Sequence, residues 1–275
     1  MRPEQPFQPD DLADLDGRLL SRAHAVVAIR DLANGNRHRD VIGLRHDVDN
    51  HPEALPCALS FARWEAERGY RSSYYLLHSA DYFRSPGFEA AAAELATIGH
   101  EVGIHTNAIA EALRTGRDPD EILDEAVDRL RGFGHAVVGV VGHGDQLCRV
   151  AGFANDEHFV ECARPSNGAP DRTLTVDKRR SLTLAPRPLA RFGLRYEAVR
   201  AAQATSAGAY TNTDSNGRWH FPFEDTVAAF ERVTQLGPGA AAGAAYRAAP
   251  QTVLLVHPDW WPQAFPSLDL ERTAA

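Results

Sequence analysis

The chain has 275 residues, of which 44% are apolar and 24% charged, and its formal net charge at pH 7 is −8. This composition excludes chain-wide disorder and is typical of a globular protein long enough for one large α/β domain. The acidic balance, with no run of Lys and Arg, excludes a nucleic-acid partner.

Targeting and redox signals are also missing from the sequence. The first residues lack the basic start and apolar core of a secretory signal, and no apolar segment approaches the length of a membrane span. The three cysteines, Cys57, Cys148 and Cys162, are far apart and odd in number, so they do not make a disulfide framework or a zinc ribbon. We therefore expect a cytoplasmic protein without a membrane partner.

The first half of the chain alternates between helical and strand patterns. Apolar residues near helical spacing predict a lead-in helix within residues 9–32, and a short buried strand follows at 41–45. The next predicted elements are a helix at 52–68, a strand at 73–77, a helix at 87–98, a strand at 101–104, a helix at 118–132 and a strand at 136–141. This alternation predicts parallel βαβ units.

The second half is less regular. Short strands are predicted at 158–163, 194–196, 208–211 and 252–256, with a helix at 223–236 and a Gly/Ala/Pro loop at 237–250. No repeat, low-complexity tract or linker divides the chain, so we expect a single domain over residues 1–275.

Two aspartates follow the first predicted strand. An apolar run at 41–44 is followed by Arg45 and His46 and then by Asp47 and Asp49, and burial of two carboxylates there would require a cation or hydrogen bonds. One of them could bind a metal while the other takes a proton from a water. The pair alone fits a polar turn equally well, with Asp49 capping the next helix.

Three histidines occupy equivalent places after later strands. His105 ends the predicted strand at 101–104, His143 follows the strand at 136–141, and His257 follows the strand at 252–256 with Trp260 close behind. The carboxyl ends of parallel strands meet at one edge of a sheet, so these side chains and the aspartates should converge. Imidazole and carboxylate ligands with an open position suit Zn²⁺ or a similar divalent ion.

Four short motifs resemble the ordered motifs of the polysaccharide deacetylase family, the NodB-homology fold. They are RHDVD at 45–49, GHEVGIHTN at 99–107, DSNGRW at 214–219 and LLVHPDWW at 254–261. The resemblance implies a distorted (β/α) barrel over residues 41–261, preceded by a helical lead-in at 1–40 and followed by a tail at 262–275.

The resemblance also implies roles for single residues. Asp47 corresponds to the catalytic base, Asp49 and His105 to metal ligands, and His257 to the histidine that protonates the leaving nitrogen. The late acidic and aromatic residues that support the site correspond to Asp214 and Trp219, and Trp260 is a further candidate for the wall of a substrate cleft.

One departure from the family pattern affects the metal. The second histidine of the family's His-x-x-x-His motif would fall at position 109, which is Ile109 here. Either His143 or Asn107 supplies the missing ligand, or the metal is weak or absent. We expect His143, because imidazole is the better ligand.

The sequence thus predicts a metal-dependent hydrolase of a non-peptide carbon–nitrogen bond. Deacetylation of an N-acetylated sugar or sugar-containing metabolite is the reaction that the resemblance implies, and hydrolysis of a cyclic amide would use the same residues. The alternative, which Ile109 favours, is a non-catalytic barrel that binds a glycan or nucleotide sugar. The expected partner is a small-molecule or saccharide substrate, and the oligomeric state stays open.

Overall fold

The computed structural model describes residues 6–36, 40–162, 172–177, 180–203, 210–215, 217–235 and 251–265. The helices in these ranges are α1 (Pro9–Arg18), α2 (Ile29–Ala33), α3 (Ala54–Glu67), α4 (Phe88–Thr97), α5 (Ala108–Thr115), α6 (Pro119–Gly132), α7 (Gln146–Ala151), α8 (Ala198–Gln203) and α9 (Phe223–Gln235). The strands are β1 (Ala25–Val27), β2 (Val41–Val48), β3 (Ser73–Leu77), β4 (Glu101–Thr106), β5 (Gly139–Gly142), β6 (Arg172–Thr175), β7 (Ser181–Leu184), β8 (Tyr196–Glu197), β9 (Tyr210–Thr213) and β10 (Thr252–Val256).

Eight of these strands form one parallel sheet. Its order is β8-β5-β4-β3-β2-β10-β9, and β1 pairs with the first residues of β2. The sheet curls into a half-barrel flanked by helices. The predicted α/β class and the predicted parallel βαβ units are confirmed, and the shape is compatible with a distorted barrel.

Apolar packing on the helical side explains why these segments form a sheet. All eight residues of β2 are buried, as is usual for a central parallel strand covered on both faces. Leu44 and Ile104 from the strands share one core cluster with Leu59, Leu95 and Leu123 from α3, α4 and α6. This packing aligns the carboxyl ends of β2, β4 and β5 at one edge.

Inside the half-barrel, two glycines make room for two tyrosine rings. A side chain at Gly103 would lie 2.5 Å from the ring of Tyr75, and one at Gly139 would overlap the ring of Tyr196. The two tyrosine hydroxyls lie 3.1 Å apart, and Tyr196 also donates to the buried Glu101. The interior of the half-barrel around these residues is therefore filled by side chains.

The described residues 6–36 do not form one helix, so the predicted helix within residues 9–32 is wrong over residues 25–27, although helix α2 follows at Ile29–Ala33. Helix α1 ends at Arg18, and residues 25–27 form β1, which pairs with β2 from Val41 to Gly43. The segment 1–40 thus contributes a strand to the sheet. A three-residue strand is too short to produce a recognisable alternation.

The predicted strand at 158–163 is also wrong over its described part. Residues Asn155–His158 form a 3₁₀ turn, and Phe159 makes only an isolated bridge with Arg187. Two strands that the sequence analysis missed, β6 and β7, pair as an antiparallel hairpin apart from the main sheet. The predicted loop at 237–250 lies outside the described residues, as do residues 266–275 of the predicted tail.

Among the described helices, none combines the length and the apolar character that crossing a bilayer requires.

Candidate functional site

Asp49, His105 and His143 meet at the carboxyl edge of the sheet. Asp49 follows β2, His105 lies near the end of β4, and His143 follows β5. The Nε2 atom of His105 lies 3.3 Å from Asp49 Oδ1, and Nδ1 of His143 lies 3.2 Å from the same oxygen. The two ring nitrogens are 3.1 Å apart. The three residues that the sequence analysis named as ligands therefore form one compact triangle of donor atoms, the Asp-His-His triad.

The spacing of this triad fits a divalent ion. Zinc bonds of about 2.0–2.1 Å at tetrahedral angles place two ligand atoms about 3.3 Å apart. Asp49 Oδ1 is buried and has no hydrogen-bond partner among the described residues, although both rings are within 3.3 Å. Burial alone would raise the pKa of the Asp49 carboxyl, but the two imidazoles lower it well below its usual range. An ionised oxygen facing two ring nitrogens is the donor set that a cation at a shared point would satisfy.

His105 is oriented for this role by the neighbouring strand. It lies opposite Val141 in the β4–β5 register, and its Nδ1 is 3.3 Å from the Val141 carbonyl oxygen. A proton on Nδ1, donated to that carbonyl, leaves the lone pair of Nε2 directed at the triad.

The loop that carries His143 is held by a hydrogen-bonded network. Asn155 Nδ2 donates to the His143 carbonyl at 2.8 Å and to Asn107 Oδ1 at 2.9 Å. Asn107 Nδ2 donates to Asp145, which also accepts two 2.7 Å hydrogen bonds from Arg114. Asn107, the alternative third ligand, thus fixes the loop and lies outside the triad. Neither Asn155 nor Arg114 was predicted from the sequence to act at the site.

Ile109, at the position where the resemblance would place a second metal histidine, has a packing role. It is fully buried in α5 and belongs to a small apolar cluster with Phe153, Leu174 of β6 and Leu184 of β7. The helix therefore uses this position to hold the β6–β7 hairpin.

Asp47 lies beside the triad and is held by Arg45. The guanidinium donates from Nε to Asp47 Oδ1 and from Nη2 to Oδ2, both at 2.8 Å, and both side chains are buried. Asp47 Oδ2 is 3.9 Å from Nε2 of His105. Burial alone would raise the pKa of Asp47, but Arg45 lowers it below its usual range. Asp47 is therefore a carboxylate at neutral pH. No role was predicted for Arg45 from the sequence.

His257 carries a proton because of a buried carboxylate behind it. Asp214 is fully buried and accepts hydrogen bonds from His257 Nδ1 at 2.7 Å, from the His257 backbone N–H at 2.9 Å and from Trp261 Nε1 at 2.6 Å. Burial alone would lower the pKa of His257, but Asp214 raises it to about 9. Asp214 is thus brought to His257, and Trp261 is an additional partner that the sequence analysis did not assign.

Asp47, His257 and the Asp-His-His triad line one cleft of about 500 Å³, a size that suits a small ligand. Trp260 lies in its wall, as predicted from the sequence. Trp219 does not line the cleft: its ring packs against Phe7 and Trp261, with ring centroids 5.8 and 6.3 Å apart. Trp219 therefore contacts Trp261, which holds Asp214.

His46 faces the other side of the sheet, as the alternation of a strand predicts. Its Nε2 is 2.6 Å from Glu65 of α3, and both side chains are fully buried. The second oxygen of Glu65 accepts from the hydroxyls of Ser72 at 2.6 Å and Tyr74 at 2.9 Å. This network links β2, β3 and α3 on the face of the sheet opposite the cleft, so His46 does not line the cleft.

Asp156, Cys162 and Glu197 form a second group whose donor atoms lie within 4.8 Å of one another. Its chemistry differs from that of the triad. Burial raises the pKa of the Cys162 thiol to about 12, which favours its neutral form. Glu197 accepts from the backbone N–H of Arg200 at 2.8 Å and so caps α8.

No protein-family model matches the chain, and no curated protein matches it at a significant level. A function is therefore inferred from the side chains that meet in the cleft.

Proposed function

We propose that this chain is a metal-dependent hydrolase of a non-peptide carbon–nitrogen bond, which removes the acetyl group from an N-acetylated sugar or sugar-containing metabolite. One observation carries the proposal: a single cleft brings together a donor triad that fits a divalent ion, an ionised carboxylate and a protonated histidine. The motifs that resemble polysaccharide deacetylases support it, and the curled parallel sheet is compatible with a barrel of the NodB-homology type.

The ligand set favours zinc. Two imidazoles and one carboxylate, from Asp49, His105 and His143, leave a position open for water or substrate, as in hydrolytic zinc sites. An ion bound there would polarise the acyl carbonyl and increase the acidity of the attacking water.

Asp47 is placed to act as the general base. Its Oδ2 atom lies 3.9 Å from a ligand nitrogen of His105, and Arg45 holds the carboxylate ionised in a fixed orientation. It can therefore accept a proton from a water that attacks the carbonyl carbon.

His257 is placed to act as the general acid. Its Nδ1 is bonded to Asp214, so the proton on Nε2 is the one left for the departing nitrogen. In the metal-free protein Asp214 raises the pKa of His257 to about 9, which favours the protonated ring at neutral pH. An ionised carboxylate and a protonated imidazole in the same cleft as the triad suit amide hydrolysis.

Zinc content and acetate release test the proposal together. We expect about one zinc per chain, and acetate release from N-acetylglucosamine, chitooligosaccharides or UDP-N-acetylglucosamine. Asp47→Asn and His257→Gln should each lower the rate by about 10²- to 10⁴-fold while zinc is retained. The matched control is Asp128→Asn, an exposed position on α6 for which we expect the wild-type rate.

Other outcomes of the same experiment would redirect or overturn the proposal. Ring opening of a cyclic amide without acetate release would keep the residues and change the substrate. Zinc with saturable saccharide binding and no hydrolysis would favour the non-catalytic barrel. His143 completes a three-residue donor set, so Ile109 no longer favours that alternative. A wild-type rate in Asp47→Asn would contradict the mechanism.

A further inference from the structure

An arginine that the proposed mechanism leaves unused lies in the wall of the cleft. Arg149 belongs to α7, is exposed to solvent, and lines the cleft together with His143 and Gly144. Its guanidinium forms no ion pair and no hydrogen bond with another described residue. An arginine is positively charged throughout the physiological pH range. The described part of the cleft therefore contains a cation that no protein carboxylate pairs with.

The helix that carries Arg149 is anchored beside the triad. Asp145 caps the first turn of α7 and accepts two 2.7 Å hydrogen bonds from Arg114. The Sγ atom of Cys148 lies 3.4 Å from Nδ2 of Asn155, the same amide that holds the carbonyl of the triad loop. The backbone at Arg149 is thus tied to the loop that supplies a triad ligand. A ligand would need to order only the arginine side chain.

Positive charge exceeds negative charge in the described part of the cleft when a divalent ion occupies the triad. The carboxylates of Asp47 and Asp145 are each bonded to an arginine, and the charge on a protonated His257 is matched by a buried carboxylate. The ion and Arg149 then face only the triad aspartate and Asp259. An anionic group on a ligand would compensate this excess, whereas an ammonium group would increase it.

The chemistry of the guanidinium indicates which anions fit. Its planar fork of N–H groups pairs with a carboxylate or a phosphate through two parallel hydrogen bonds. We propose that Arg149 forms an anion site in the cleft, which binds a carboxylate or phosphate group carried by the substrate. The triad end of the cleft receives the acyl group and Arg149 the anionic group, so a ligand with both is selected over a neutral one. This anion site deepens the proposed function, on which the identity of the acylated end rests.

Binding of matched neutral and anionic ligands tests the anion site. The His257→Gln protein, supplied with zinc, is titrated calorimetrically with N-acetylglucosamine, with its 6-phosphate and with N-acetylmuramic acid, which carries a carboxylate. The parent should bind at least one anionic ligand more tightly than the neutral one. Adding Arg149→Gln should weaken binding of that anionic ligand by about tenfold, because a charge-assisted pair is lost, and binding of the neutral one by less than about twofold. The two anionic ligands distinguish a phosphate site from a carboxylate site.

Two further variants serve as controls. Arg232 is likewise an exposed arginine on a helix, α9, and it does not line the cleft, so Arg232→Gln should leave all three affinities unchanged. Arg149→Lys keeps the charge without the planar fork and should retain part of the preference for the anion. Zinc content and the melting temperature report whether each variant is loaded and folded.

Each other result has a defined meaning. Equal affinity of the parent for neutral and anionic ligands would overturn the anion site, as would no binding of any of the three. A preference for the anion that survives in full in Arg149→Gln, or that falls equally in Arg232→Gln, would also overturn it. Arg149-dependent anion binding by a chain whose wild type releases no acetate would overturn the proposed function alone. Acetate release with KM unchanged for every anionic substrate in Arg149→Gln would overturn the anion site alone.

Discussion

His257 should titrate far above an ordinary histidine in the metal-free protein. The buried Asp214 raises the pKa of His257 from about 6.5 to about 9. One pKa unit corresponds to about 1.4 kcal/mol, so the pair favours the protonated ring by roughly 3 kcal/mol. Asp214→Asn removes the charge that Nδ1 faces at 2.7 Å and should return the pKa to near or below 7.

This shift also sets the pH dependence of stability. Below about pH 6.5 the ring is protonated in both the folded and the unfolded chain, and the Asp214–His257 pair contributes fully to the free energy of unfolding. As the pH rises toward about 9, the unfolded chain has lost the proton that the folded chain still holds, so the contribution declines. The wild-type advantage over Asp214→Asn should therefore shrink by up to about 3 kcal/mol between pH 6 and pH 9.5.

The assay is an NMR titration of the His257 ring on protein treated with a chelator, since a bound cation nearby would lower the pKa. His257→Gln assigns the signal, and Asp128→Asn is the control for loss of a carboxylate elsewhere. Urea unfolding at the two pH values gives the stability difference. A wild-type midpoint below pH 7, or the same midpoint in Asp214→Asn, would refute the reasoning.

Three substitutions test other parts of the structure. Arg45→Gln leaves the buried Asp47 carboxylate unpaired and should lower the free energy of unfolding in urea by about 3–5 kcal/mol; a loss below about 1 kcal/mol would mean that the pair is not buried as described. Ile109→Ala should cost about 2–5 kcal/mol with zinc content unchanged, and loss of zinc would contradict its packing role. Gly103→Ala brings a methyl group to 2.5 Å from the Tyr75 ring and should cost about 1–3 kcal/mol; an unchanged melting temperature would argue against this close packing.

The position of the triad was predictable because it follows from a topological rule. Asp49, His105 and His143 each come at or just after the end of a strand, and parallel strands deliver their carboxyl ends to one edge of a sheet. The alternation of side chains along a strand also separates His46 from Asp47. Both inferences need only the order of strands and helices.

The residues and strands that were not predicted depend on contacts between segments that are distant in the sequence. Asn155 reaches the His143 loop, and Trp261 reaches Asp214, through folding that no local pattern records. β1 and the β6–β7 hairpin are short, and their pairing is decided by neighbours in space. Arg45 is different: its place two residues before a buried carboxylate on the same strand was a usable signal.

A crystal grown with zinc and measured at the zinc absorption edge tests the central claim most directly. We expect one strong anomalous peak, about 2.0–2.2 Å from Asp49 Oδ1, His105 Nε2 and His143 Nδ1, and its loss in His143→Ala but not in His51→Ala. A peak at another group of side chains, or full occupancy retained in His143→Ala, would contradict the Asp-His-His triad as the metal centre.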